Sequence, residues 1–174
     1  TEADSLHAYP EKLCLLQASI TGADELIDPL AKIDLTPLWT EFRKHELIFH
    51  AADYDLRLLR KNHNFVPDQI FDTMLAARLL GEKEFSLTNL VKNFLGVQLE
   101  KGSQKADWAK RPLTEKMEDY ARNDTRYLKS LADLLRAKLE EKGRLEWHRQ
   151  SCARLIEDCA ELPSDENESW RIKG

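Results

Sequence analysis

The order of the predicted elements indicates an α/β protein in which helices pack in layers against a sheet. Short apolar runs occupy the first part of the chain, helical patterns dominate the second half, and strand and helix alternate between them. This order favours helix and sheet layers around one core. The 174 residues are enough for one domain with a short appendage.

Three short runs are predicted to be strands. Lys12–Gln17 is an apolar run that lies between Pro10 and Gly22, two residues that interrupt regular structure. Glu25–Leu30 is a second, short candidate, and Leu47–Phe49 is a brief buried strand.

Five segments have the spacing and end signals of helices. Thr36 is a predicted N-cap with Pro37 at the first helical position, and Asp72 and Thr114 are predicted to cap two later helices. Gly143 is expected to end the last helix. The predicted helices are Thr36–Lys44, Asp53–Lys61, Phe71–Leu80, Ser86–Leu95 and one long helix, Thr114–Lys142, with Lys101–Pro112 as a polar loop.

Composition argues against several classes of protein. The net charge of −5 is unlike that of a protein that only coats nucleic acid, although a nuclease is compatible with it because bound metal ions reverse the local field. No apolar run approaches the roughly 20 residues of a membrane span, and no signal peptide is visible. Cys14, Cys152 and Cys159 are too few and too scattered for a disulfide framework or a zinc site. A reducing, cytoplasmic location is therefore expected.

Spacing alone gives one observation about function and leaves it open. Tyr120 and Asp124 are four residues apart on a predicted helix, so they share a face. That face is either part of a site or a solvated surface with a half-buried tyrosine. Asp53 and Asp55 can likewise be acids that the helix dipole favours in a first turn.

Three blocks, in order, resemble the motifs of the DEDD 3′-to-5′ exonucleases. Glu2 matches the glutamate of the first motif, Asp-x-Glu. His50 and Asp55 match the histidine and aspartate of the second motif. Tyr120 and Asp124 match the third motif in its Tyr-x-x-x-Asp form. The blocks are Thr1–Leu6, Phe49–Leu59 and Tyr120–Leu128.

Two further blocks, Phe71–Leu80 and Lys101–Leu113, are similar to ribonuclease D and to the related exonuclease of the nuclear exosome. This resemblance implies a ribonuclease H-like exonuclease fold, a central mixed sheet flanked by helices, over residues 1–145. It also implies that residues 146–174, including the acidic Ser164–Ser169, lead toward a helical RNA-binding domain outside the sequence.

The resemblance also implies an activity. The expected enzyme uses two divalent ions, Mg²⁺ or Mn²⁺, to release nucleoside 5′-monophosphates from the single-stranded 3′ end of RNA, for example transfer RNA. Its implied metal ligands are Glu2, Asp55 and Asp124, and Tyr120 would orient the attacking water. The candidate contacts to RNA are Lys101, His50, Gln104 and Arg111.

Several of these assignments have alternatives. Arg111 can instead pair with Asp107, and His50 can be a satisfied polar residue at the end of a strand. Trp108 is predicted to be a core residue. The protein as a whole can instead be a DNA exonuclease or a non-catalytic module that binds nucleic acid.

The sequence departs from the family at the first motif. That motif begins with an aspartate two residues before Glu2, and the sequence begins at Thr1, so the aspartate and the strand that carries it are not included. We therefore expect the activity of this chain to be impaired.

Overall fold

The computed structural model describes residues 1–4, 11–100 and 102–162. The strands in these ranges are β1 (Glu2–Ala3), β2 (Leu13–Ile20), β3 (Ala23–Ile27), β4 (Glu46–Phe49) and β5 (Gln69–Asp72). The helices are α1 (Thr36–Phe42), α2 (Ala52–His63), α3 (Thr73–Leu80), α4 (Leu87–Leu95), α5 (Glu115–Arg126), α6 (Leu128–Glu141) and α7 (Leu145–Ala160).

The described strands form one antiparallel and one parallel sheet, which agrees with the predicted mixed α/β fold. The first is antiparallel, with the order β1-β2-β3, and the second consists of β4 and β5 in parallel. A cavity lies between β2 and β4, because no strand of the described ranges pairs with both. Helix α5 packs on β2 and β3, and α7 packs on β5 and α2, so helices flank both sheets.

The two strands of the first hairpin differ from the prediction in where they end and in where the second one begins. The strand predicted at Lys12–Gln17 continues to Ile20, and its partner begins at Ala23 after a turn at Gly22, which has a φ of 88°. The predicted end of the second strand at Leu30 is wrong. Pro29 has no N–H to donate to a partner strand, and a 3₁₀ turn over Pro29–Ala31 replaces the strand.

Two predictions about helix ends and lengths are also wrong. Leu35 is the N-cap of α1, and the carboxylate of Asp34 accepts the N–H of Thr36, which is already helical. The predicted helix Thr114–Lys142 is two helices that meet at Tyr127. The break lets α5 lie on the antiparallel sheet while α6 packs on α3 and α4.

Other predicted features are confirmed. The side chain of Thr114 caps α5 through the N–H of Met117, and the side chain of Asp72 caps α3. Strand β5, which ends at Asp72, and helix α7 were not predicted.

Helix α7 contributes buried side chains to the core. Cys152 and Cys159 pack with Leu56 of α2 and Ile70 of β5 in one hydrophobic cluster. The predicted domain boundary after residue 145 coincides with the start of this helix. The segment Ser164–Ser169 lies outside the described residues. Among the described helices, none has the length and apolar character to span a membrane.

Candidate active site

The cavity between β2 and β4 is walled on one side by α5. The residues on its wall include most of those that the sequence singled out. They are His50, Asp55, Gln104, Tyr120 and Asp124.

Asp55 is held at the cavity by the start of α2. The chain turns sharply at Ala51, whose φ is 63°, and enters the helix at Ala52. The buried carboxylate of Asp72 accepts the N–H of Ala51 at 3.3 Å and that of Ala52 at 2.7 Å, and it also caps α3. One carboxylate therefore fixes the beginnings of both helices, and Asp55 lies in the first turn of α2.

Glu2 lies on β1 beside the cavity and is held by a neighbour on β2. The amide nitrogen Nε2 of Gln17 donates to Oε1 of Glu2 at 3.3 Å. The Thr1 hydroxyl donates to Oδ1 of Asp55 at 2.5 Å.

The acids are close enough to affect one another electrostatically. Burial raises the pKa of Glu2 to about 7, and the negative charges of Asp124 and Asp55 add to that rise. Burial likewise raises the pKa of Asp124 to about 6, with a contribution from Asp55.

The donor set of this cluster is made of carboxylate oxygens, the ligands that Mg²⁺ and Mn²⁺ prefer. In residues 1–4, 11–100 and 102–162, no three acidic, histidine or cysteine groups are already gathered around a single point as one ion would require. Crowded, buried carboxylates with raised pKa values nonetheless fit a site that a cation would stabilise.

Tyr120 stands between Gln104 and Asp124. Its hydroxyl donates to Asp124 and receives a hydrogen bond from Gln104. Burial, together with the charges of Asp124 and Glu2, raises its pKa above the usual value near 10. The hydroxyl therefore stays protonated at neutral pH and acts as a hydrogen-bond donor.

The predicted RNA contacts have different surroundings. Nδ1 of His50 shares a hydrogen bond of 2.9 Å with the hydroxyl of Thr73, and burial lowers the pKa of His50, so its ring is neutral at pH 7. Gln104 is exposed at the cavity. Lys101 lies outside the described residues.

Arg111 is engaged by the protein itself. All five N–H donors of its guanidinium bond to Asp28 or to the carbonyls of Cys14, Trp108 and Lys110. The predicted pairing of Arg111 with Asp107 is wrong. Arg111 pairs instead with Asp28, which lies at the start of the 3₁₀ turn that follows β3. Arg111 is not on the wall of the large cavity, and its contacts tie the loop after Gly102 to the sheet.

Trp108 is a core residue, as predicted. Its side chain is 2% exposed and packs in a cluster that contains Leu15 and Ala121.

Two residues of the site were missed by the sequence reasoning. Asp72 was identified only as a cap, because its bonds to Ala51 and Ala52 depend on the parallel pairing of β4 with β5. Gln17 was placed at the end of a strand. In the structure it lies within β2, and the available signal was a polar residue directly after the apolar run that ends at Leu16.

Comparison with known families and relatives gives a consistent picture. A family model described as a 3′-5′ exonuclease matches residues 1–140. Ribonuclease D of Zymomonas mobilis is 35% identical over 175 residues, which cover 98% of this chain and 45% of that protein. Exosome complex component 10 of the rat is 38% identical over 143 residues, or 79% of this chain and 16% of that protein.

The fold also matches solved structures. The crystal structure of Escherichia coli RNase D, described as an exoribonuclease involved in structured RNA processing, aligns with a TM-score of 0.84 at 29% identity. The alignment covers 94% of this chain and 44% of that one. The chain thus spans less than half the length of these ribonuclease D relatives.

Proposed function

Because the chain belongs to the 3′-to-5′ exonuclease family and has its ribonuclease H-like fold, we propose that it is the catalytic domain of a metal-dependent exoribonuclease. Its substrate is the single-stranded 3′ end of RNA, and its products are nucleoside 5′-monophosphates. The relatives named ribonuclease D and exosome component 10 support RNA over DNA as the substrate.

The observation that carries this proposal is the acidic wall of the large cavity. Asp55 and Asp124 line it, and the carboxyl group of Glu2, held beside it by Gln17, is near enough for both to raise its pKa. Buried acids that repel one another destabilise a fold unless they serve a ligand. A divalent cation is the ligand that this oxygen set fits best.

The family hydrolyses phosphodiester bonds with two metal ions. When bound, such ions activate a water, neutralise charge on the phosphate and stabilise the leaving 3′ oxygen. Glu2, Asp55 and Asp124 would hold them as carboxylate ligands. Tyr120 orients the attacking water with its protonated hydroxyl, and Gln104 fixes the hydroxyl of Tyr120.

The RNA end would enter the same cavity. His50 and Gln104 line it, and Lys101 follows Glu100, which also lines it. We include all three as candidate contacts to RNA, and we assign Arg111 to the support of the loop because its donors are occupied. Digestion of matched RNA and DNA oligonucleotides tests the substrate. Faster digestion of the DNA would contradict the proposed ribonuclease activity and indicate a DNA exonuclease instead.

Replacement of Asp124 by Asn tests the metal mechanism. An amide is a weaker, uncharged ligand, so Asp124→Asn should remove most of the Mg²⁺-dependent activity, as chelation of the metal should. The matched control is Asp133→Asn, an exposed helical aspartate paired with Lys129, which should leave the rate unchanged. Full activity in excess chelator would contradict the mechanism.

The first motif and the cellular location complete the proposal. A chain that carries the family's aspartate two residues before Glu2 should hydrolyse RNA faster than the chain that begins at Thr1, because it has one more ligand. The three cysteines are free and buried, which supports a reducing location such as the cytoplasm. Cell fractionation tests the location.

A further inference from the structure

His50 is held at the end of β4 by a hydrogen bond with Thr73. The ring nitrogen Nδ1 of His50 lies 2.9 Å from the hydroxyl oxygen of Thr73, and that hydroxyl donates to the carbonyl oxygen of Phe49 at 3.1 Å. Thr73 begins α3 directly after β5, the parallel partner of β4, and its side chain is buried. The ring is therefore held from the side on which β4 pairs with β5.

These three groups together determine which ring nitrogen of His50 carries the hydrogen. The carbonyl of Phe49 can only accept, so the single hydrogen of the Thr73 hydroxyl points to that carbonyl. The oxygen of Thr73 then accepts from Nδ1, which is the protonated nitrogen. Burial lowers the pKa of His50, so the ring is neutral at pH 7. In a neutral ring that is protonated at Nδ1, Nε2 has a free electron pair and can only accept a hydrogen bond.

The ring lies near the proposed metal site. The negative charge of Asp55 acts on His50 and opposes the lowering of its pKa, and both residues are on the wall of the large cavity. A nitrogen that only accepts cannot bind a phosphate oxygen, because the phosphate of RNA is itself an acceptor at neutral pH. The group of the substrate that contacts Nε2 is therefore an O–H or an N–H.

The ribose is the part of an RNA chain that supplies O–H donors. At a 3′ end the terminal ribose has a free 2′-hydroxyl and a free 3′-hydroxyl. This ribose is joined directly to the phosphate that the metal ions would bind, whereas the base is one bond further away. A contact beside Asp55 therefore fits the sugar better than the base.

We propose that Nε2 of His50 accepts a hydrogen bond from a hydroxyl of the terminal ribose, and that Thr73 is the positioning residue that keeps the hydrogen of the ring on Nδ1. This inference rests on the proposed function. It goes beyond it because it names the chemical group that His50 contacts and gives Thr73 a role.

Heteronuclear NMR of the histidine ring nitrogens, in the chain without metal or RNA, measures the protonation of His50. The signal of His50 is the one that is lost in His50→Asn. Nδ1 should be protonated and Nε2 should not. Thr73→Val has a similar shape but no hydroxyl, so it should lose this preference, and Thr73→Ser should retain it. A hydrogen on Nε2 in the unmodified chain would overturn the inference.

The contact with ribose is measured by titration of three short RNAs in Ca²⁺. They differ only in the last nucleotide, which contains a complete ribose, a 2′-deoxyribose or a 3′-deoxyribose. Loss of the hydroxyl that His50 accepts should raise the dissociation constant about fivefold, as expected for one hydrogen bond. The RNA that binds more weakly identifies the hydroxyl.

His50→Asn separates the acceptor from the bond to Thr73. Asparagine carries its amide nitrogen near the position of Nδ1, so it keeps a donor to Thr73 but has no atom at the position of Nε2. Its dissociation constants for the three RNAs should agree within about twofold. Thr73→Val should likewise lose most of the discrimination, and Thr73→Ser should restore it.

The matched control is Thr40→Val. The hydroxyl of Thr40 bonds to the carbonyl of Thr36 within α1 and is exposed. This variant should discriminate among the three RNAs as the unmodified chain does. An equal loss of discrimination in Thr40→Val and Thr73→Val would overturn the role of Thr73.

The remaining outcomes separate this inference from the proposed function. If the unmodified chain binds the three RNAs equally but digests RNA in Mg²⁺, the contact with ribose is wrong and the proposed function stands. Discrimination that persists in His50→Asn would have the same meaning, because another residue would then read the hydroxyl. If the unmodified chain neither binds nor digests RNA, the proposed function fails and takes the inference with it.

Discussion

In the proposed mechanism, Tyr120 takes part in hydrolysis without gaining or losing a charge. Its hydroxyl is held between Gln104 and Asp124, and its raised pKa keeps the proton in place at neutral pH. It cannot be a base under these conditions, but it can hold a water in the correct orientation. An interaction of this kind is felt mainly in the transition state.

We therefore expect Tyr120→Phe to reduce kcat by roughly 10²-fold or more while RNA binding changes little. Single-turnover cleavage of a short RNA, beside a binding titration in Ca²⁺, separates the two effects. Tyr54→Phe is the control, because Tyr54 is exposed and donates to Glu11 away from the cavity. An unchanged cleavage rate in the Tyr120 variant would leave only the carboxylates in the mechanism.

The raised pKa values of Glu2 and Asp124 give a second prediction for single residues. Their folded pKa values, about 7 and about 6, exceed the ordinary values of 4.5 and 3.8. Each acid therefore favours folding at low pH, and this stabilisation is lost as the pH rises through the folded pKa. Mg²⁺ binds the ionised acids and should offset the loss.

The increase in unfolding temperature caused by Mg²⁺, relative to chelator, should therefore be larger at pH 8 than at pH 5.5. Thermal unfolding at the two pH values measures it. Glu2→Gln should reduce the difference, since one of the titrating acids is gone. An equal Mg²⁺ effect at both pH values would contradict the assignment of these acids as ligands.

At the scale of elements, features that depend on neighbouring residues were predicted from the sequence, whereas features that depend on long-range packing were missed. Thr114 and Asp72 cap helices as expected because capping depends on neighbouring residues. The break at Tyr127 was missed because neither glycine nor proline marks it, and it follows from how α5 and α6 pack on different partners. The acids of the site were identified by resemblance, whereas Gln17 depends on sheet pairing and needed the structure.

Asp72 links two elements to the site, and this link can be tested. Its carboxylate accepts N–H groups from the starts of both α2 and α3, and it is 1% exposed. Asp72→Asn removes the charge and one acceptor, so it should lower the free energy of unfolding by about 1–3 kcal/mol. It should also weaken Mn²⁺ binding, because Asp55 lies in the turn that Asp72 holds.

Urea unfolding and Mn²⁺ titration measure the two effects of Asp72→Asn. Asp34→Asn serves as the comparison, because Asp34 accepts the N–H of Thr36 at the start of α1, far from the acids in sequence and exposed. A stability of Asp72→Asn equal to that of the unmodified chain would show that the four bonds are not needed to hold these helix starts.

At the scale of the whole molecule, the packing of α7 bears on the proposed end of the domain. The resemblance implied an exonuclease domain over residues 1–145 followed by an extension, but α7 begins at Leu145 and packs on β5 and α2. His148 is buried against the ring of Phe71 at a centroid distance of 4.2 Å and bonds to the carbonyl of Asp72 at 2.9 Å. The helix thus covers the parallel sheet and supports the residue that fixes Asp55.

A chain that ends at residue 145 should therefore be much less stable than one that ends at residue 162. Both chains lack residues 163–174, so the difference between them isolates α7. Removal of α7 takes away the buried side chains of Cys152, Cys159 and His148. The core residues that these side chains cover then become exposed to solvent. Exposure of several such side chains costs a few kcal/mol, which corresponds to a fall of roughly 10 °C or more in the unfolding temperature of a protein of this size.

Circular dichroism during heating gives the two temperatures, and an Mn²⁺ titration of each chain shows whether the acids remain assembled. Equal unfolding temperatures would mean that α7 is an appendage and that the domain ends at residue 145. A large difference would make α7 part of the exonuclease domain, and any further domain would then attach through the residues that follow it.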